Sequence, residues 1–126
     1  MSVRAFSTKF GRLMDKLREM FPDDVDVDAM HVAMTHILRE NDSAAAFMQS
    51  WAADVVPMFG AQLAAGDVDF FLTKNWAEDI PADADAAVAA LALAQVDRLR
   101  NLVLTMTRAK QVEITQDLHV LCKLCK

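Results

Sequence analysis

From Phe6 onward the apolar residues return with a helical rhythm. Phe6, Phe10, Leu13, Met14, Leu17, Met20 and Phe21 fall on one stripe of a 3.6-residue repeat. Arg12, Asp15, Lys16, Arg18 and Glu19 lie mostly on the other side. Pro22 stops this first helix, because a proline disfavours helical geometry in the residue before it. Such a stripe packs into a core, and a helix that binds a partner carries the same pattern.

The rest of the chain reads as further helices. Asp23, Asp24, Asp26 and Asp28 form an acidic linker, with Asp28 the expected N-cap of a second helix through Met30, Val32, Met34, Ile37 and Leu38 to Glu40. Asn41-Asp42-Ser43 reads as a loop before a third helix that begins near Ala44 and carries Phe47, Met48, Trp51, Val55 and Val56. Pro57 falls inside that helix and either kinks or splits it before Gly66. Asp67 caps a short helix through Phe70, Phe71, Leu72 and Trp76, and Glu78 to Asp85 is a connection containing Pro81. Asp83 is the expected cap of the longest helix, Ala84 to Thr107, with Val88, Leu91, Val96, Leu99, Leu102, Val103 and Met106 on its main face. Leu93 and Leu104 lie off that face. A helix apolar on more than one side is expected at the centre of its bundle, so Leu91, Leu99, Leu102 and Trp51 should be largely buried. Gln111 to Ile114 is β-branched and ambiguous, and a last helix follows Thr115 with Leu118, Leu121, Cys122 and Cys125 on one side.

The pattern predicts an all-α bundle of about five to seven helices, one domain over residues 1–126. Composition agrees: 54% of residues are hydrophobic, and Gly and Pro number only three each, too few for the turns of an all-β fold. Arg4, Lys9, Arg12, Lys16 and Arg18 interrupt the first apolar positions, which argues against a secretory leader. The run from Ala84 to Val96 is too short to span a bilayer. An intracellular protein with no membrane contact is therefore expected, and its two cysteines should be reduced. The sequon Asn41-Asp42-Ser43 then has no glycosylation to report.

The net charge of −5 conceals a partition. Met1 to Met20 and Ala86 to Lys126 are basic, while Phe21 to Asp85 is strongly acidic. Either the terminal helices pack beside the acidic segments and the charges settle locally, or the two ends form a basic surface for an acidic partner.

Candidate chemistry is sparse. Asp24-x-Asp26-x-Asp28 resembles the start of a calcium loop, but Ala29 stands where the loop needs glycine and Thr35 where it needs glutamate. His119, Cys122 and Cys125 are candidate metal or redox ligands, with Lys123 and Lys126 able to favour thiolates. Three ligands at i, i+3 and i+6 leave a zinc site one short, and the plain alternative is small apolar residues on a terminal helix. The last four residues do not fit a prenylation box. His31 and His36 point to different sides of a helix. No phosphate-binding, dinucleotide or nucleophile-elbow motif occurs, so no catalytic residue, cofactor or small-molecule substrate is expected. Arg98, Arg100, Arg108 and Lys110 could line a nucleic-acid-binding face. The acidic balance and the lack of a stacking set favour a solvated helix face instead.

Trp51, Phe70, Phe71 and Trp76 sit close along the chain, and eight Met residues add adaptable apolar surface. These four aromatics are the candidate contact residues for a protein partner or for self-association. A basic amphipathic helix ending in Phe21-Pro22-Asp23, followed by Asp67-Val68-Asp69-Phe70-Phe71-Leu72 and Trp76, resembles small helical proteins of unknown function encoded by large DNA viruses of algae and protists. The likeness covers about Lys9 to Trp76. It implies a viral protein acting in the host cytoplasm or the virion, and favours assembly or host-protein binding over metabolism. The expected function is a non-catalytic helical interaction or assembly module, with a thiol or metal protein and a nucleic-acid-associated protein as the alternatives.

Overall fold

The computed structural model describes residues 2–79, 82–83 and 85–125, apart from the side chains of Asp79, Val88, Ala92 and Gln95. Helix α1 spans Val3–Met20, α2 Val25–Arg39, α3 Asn41–Ser50, α4 Val56–Ala65, α5 Val68–Thr73, α6 Ala86–Thr105 and α7 Arg108–Leu124. A π turn, Trp51–Val55, joins α3 to α4, and a 3₁₀ turn covers Trp76–Asp79. No strand occurs among the described residues, so the protein is an all-α bundle.

Side-chain caps set most helix starts. Ser2 accepts from the Ala5 N–H, Asp24 from Val27, Asp67 from Phe70 and Thr107 from Lys110. Each bond satisfies an amide that has no partner within its helix. The second helix begins earlier than its sequence suggests: Asp24 caps it, and Asp26 and Asp28 lie in its first turn, where acidic side chains favour the helix dipole. The expected loop at Asn41-Asp42-Ser43 is instead the first turn of α3. Only Glu40 breaks the helical path, and the Ser43 hydroxyl donates to the carbonyls of Ile37 and Glu40. One serine thus closes the end of α2 while lying inside the next helix.

The expected third helix is divided as Pro57 suggests: α3 ends at Ser50, a π turn follows, and Pro57 lies in the first turn of the shorter α4, which ends before Gly66. The proline ring would strike the Ala53 carbonyl in a regular α-helix. The π turn widens the spiral just before it, with the Val56 N–H reaching back to the Trp51 carbonyl. Gly66 then closes α4 in the left-handed region at φ 67°, a conformation that favours glycine. Asp85, not Asp83, holds the start of α6 by accepting from the Ala87 N–H. The expected start at Ala84, the connection's Pro81 and the side chain of Val88 lie outside the described residues. The ambiguous stretch Gln111 to Ile114 is helical. Gln111 Nε2 donates to the Val103 carbonyl at 2.8 Å, tying the start of α7 to the end of α6.

The core forms around α1, α3 and α7. Phe6, Phe10, Leu13, Met14, Met48, Leu121 and Cys125 are buried together, with Met30, Met34, Leu38, Phe47, Trp51 and Leu118 packed against them. The α1 stripe read from the sequence is therefore core. The long helix is not central, contrary to expectation: Leu91 is 67% exposed and Leu99 41%, while Leu102 and Trp51 are half-buried. Its apolar positions are rich in alanine, which covers little area, and they are spread around the helix. α1 and α7 instead concentrate large side chains on one face.

Candidate functional site

Between α5, α6 and α7 the packing leaves a cleft of about 250 Å³. Val68, Phe71, Leu72 and Trp76 line one side, Val96, Leu99 and Val103 a second, and Ile114 and Leu118 a third. Asp67 fixes the first side by capping α5, and the Gln111 bond to Val103 fixes the angle between the other two. Arg100, Gln111 and Thr115 are the polar residues among the lining. Arg100 Nη2 donates to the Lys74 carbonyl at 2.9 Å and Nη1 faces Asp97 at 3.6 Å, while its buried Nε has no hydrogen-bond partner among the described residues. The Thr115 hydroxyl donates to the Gln111 carbonyl at 2.8 Å. Among the described residues no carboxylate, imidazole or thiol lines the cleft. It can bury an apolar group.

The aromatic residues singled out from the sequence fall into two clusters. Phe71 lies 6.4 Å from Trp76 in a stacked pair and 5.2 Å from Phe70, and Phe59 joins all three at 5.4 to 6.4 Å. The Lys74 ammonium sits 5.9, 5.8 and 5.5 Å from the centroids of Phe59, Phe70 and Trp76. Trp51 belongs elsewhere, 5.6 Å from Phe10 and 6.2 Å from Phe6, in the main core. The structure therefore brings Phe70, Phe71 and Trp76 together and separates Trp51 from them. Sequence reasoning missed Phe59, and it placed Leu99 in the core although that side chain lines the cleft.

The four cations proposed for nucleic acid each meet a carboxylate. Arg98 pairs with Asp26 at 3.4 Å, Arg100 with Asp97 at 3.6 Å, Arg108 with Asp69 at 3.0 Å and Lys110 with Glu113 at 3.1 Å. The Arg98 and Arg108 bridges, with Arg18 to Asp28 at 3.6 Å, join the basic ends of the chain to its acidic middle, while the Arg100 and Lys110 bridges stay within α6 and α7. Charges thus settle locally at these positions. The calcium-like aspartates are used in the same way, Asp24 as a cap and Asp26 and Asp28 in ion pairs.

Cys122 and Cys125 are free and buried, and the Cys125 thiol donates to the Met48 carbonyl. His119 is half-buried, with Nδ1 unpartnered among the described residues. No three His, Cys, Asp or Glu side chains among the described residues are placed to hold a metal ion. Burial pushes the Cys125 thiol up, and the neighbouring Cys122 adds to the effect. Thiols so placed should resist a bulky disulfide reagent in the folded protein and react promptly once urea unfolds it. Stoichiometric labelling under native conditions would show that α7 opens or that the thiols face solvent.

No helix among the described residues is long and apolar enough to cross a membrane. No family model, curated protein or solved structure matches this chain.

Proposed function

We propose that this protein acts by contact, as a non-catalytic module whose α5–α6–α7 cleft receives an apolar segment of a partner protein. The cleft carries the reading. Its lining is almost wholly apolar, its polar side chains are engaged by the protein itself, and Leu99 leaves apolar surface open to water. Aromatic walls such as Phe71 and Trp76 supply large contact area with little conformational freedom to lose.

A photo-crosslinking amino acid tests it. Placed at Leu99, on the cleft, it should form an adduct in cells making the protein. Placed at Gln116, exposed on α7, it should not. A second protein carrying both the crosslinker at Leu72 and Leu99→Asp should lose the adduct while keeping its helical circular dichroism. Equal adducts from Leu99 and Gln116, or an adduct that survives Leu99→Asp, would refute the reading.

A further inference from the structure

Helix α2 has two unlike faces. Val27 is buried, and Met30, Met34 and Leu38 pack against the core. The outward face is exposed throughout. Val25, Ala29, Val32 and His36 follow one another at three- and four-residue steps with Ala33 beside Val32, and Val25 is 81% exposed and Val32 61%. Two branched aliphatics and two alanines in a row make an unusually apolar surface for the solvent side of an amphipathic helix.

The charges beside this stripe are ordered. Asp26 and Asp28 lie in the first turn of α2, and His36 and Arg39 in the last. Asp28 and Arg39 border the same edge of the stripe. They stand eleven residues apart, about 16 Å along the helix, with Ala33 near the midpoint. No carboxylate pairs with Arg39 among the described residues, and Asp28 is held only at 3.6 Å by an Arg18 that is itself more than half exposed.

We propose that this face pairs with the same face of a second copy, the two α2 helices running antiparallel about a twofold axis near Val32 and Ala33. Antiparallel pairing brings Asp28 of each copy to the level of Arg39 of the other. A parallel pair would set like charges together, so the charge order selects the direction. The twofold repeats each bridge and stacks the Val32–Ala33 patch on itself, which is the self-complementarity an isologous contact requires. Ala29 and Ala33 let the helix axes approach toward the short end of the usual 8–10 Å. One helix per copy buries less than a standard interface, so the dimer is weak, with a Kd of roughly 10–100 µM. This contact is independent of the cleft.

Sedimentation equilibrium over that concentration range tests it, with circular dichroism as the check on folding. Wild type should dimerise and Val32→Asp should remain monomeric with unchanged helix content. Asp28→Arg and Arg39→Asp should each weaken the dimer at least about tenfold, and the double variant should recover much of the loss. Ala33→Cys should crosslink between copies under mild oxidation, whereas Val25→Cys, far from its own mate in an antiparallel pair, should not. A strictly monomeric wild type, a dimer that survives Val32→Asp, or a dimer abolished by Leu99→Asp in place of Val32→Asp would each overturn the proposal. The last result would move self-association to the cleft.

Discussion

Phe6→Ala should destabilise the protein by about 3–5 kcal/mol, the range found when a fully buried aromatic is truncated. The Phe6 side chain is wholly enclosed, 0% exposed, and it meets Phe10 at 5.9 Å, Phe47 at 6.0 Å and Trp51 at 6.2 Å. Three rings from three segments, α1, α3 and the π turn, therefore lose a common neighbour at once. Backbone helices cannot close the gap without moving, because α1 is also held to α7 through Lys9 and Lys16. A loss of this size is a large fraction of the 5–15 kcal/mol that small domains possess. Urea unfolding followed by circular dichroism measures it. Leu99→Ala supplies the contrast, because a half-open side chain at the cleft should cost no more than about 1 kcal/mol. If Leu99→Ala proved the more damaging change, the core would lie around α6 and the arrangement described here would fail.

That contrast also shows where the sequence speaks clearly. The α1 stripe is legible because Phe, Leu and Met recur on one side and charges fill the other, so periodicity and burial coincide. Asp67 is legible because the capping bond is local, made within three residues. The rank of α6 is not legible. Its length and apolar content suggest a centre, yet what decides burial is the large side chain that neighbouring helices bring to it, and that is a property of distant segments. The polar run at Asn41-Asp42-Ser43 misleads for a related reason: Ser43 faces backward and closes α2, so a loop composition serves a helix junction.

The candidate site was half visible. Phe70, Phe71 and Trp76 are within a few residues of one another, and the structure keeps them together. Trp51 is separated from them by the π turn before Pro57, which sends its ring toward Phe10 and not toward α5. The other walls of the cleft come from α6 and α7, twenty to forty residues further on, and no spacing rule joins Leu72 to Leu99 and Leu118. The cation assignments follow the same pattern. Arg98 and Arg108 read as a basic face only while Asp26 and Asp69 are out of sight, and folding puts each carboxylate beside its cation.

Asp117 governs the second large effect, and here the direction with pH is determined. Its carboxylate is buried on α7 and accepts from Lys9 at 2.9 Å and Lys16 at 2.6 Å, two lysines about two turns apart on α1. Burial by itself pushes the Asp117 carboxyl up, but the hydrogen bonds and charges of Lys16 and Lys9 outweigh it and hold the group below the ordinary carboxylate value. Lys16 is correspondingly held above the ordinary lysine value, chiefly by its hydrogen bond to Asp117 against the opposing cost of burial. A carboxyl whose pKa is lower in the folded chain stabilises the fold above its unfolded value of about 3.9, and that contribution disappears as pH falls through the folded value. A lysine whose pKa is raised stabilises the fold below about 10.4 and loses its contribution as pH rises through the folded value. Asp117→Asn should therefore cost about 1.5–3 kcal/mol near neutral pH, the worth of charged hydrogen bonds that are partly replaced by water reaching the half-buried lysines. The gap between wild type and variant should stay flat from about pH 5 to pH 10 and narrow on both sides, below about 4 and above about 10.4. A gap that persists undiminished at pH 2 would mean that Asp117 stabilises α1 against α7 through packing and not through its charge.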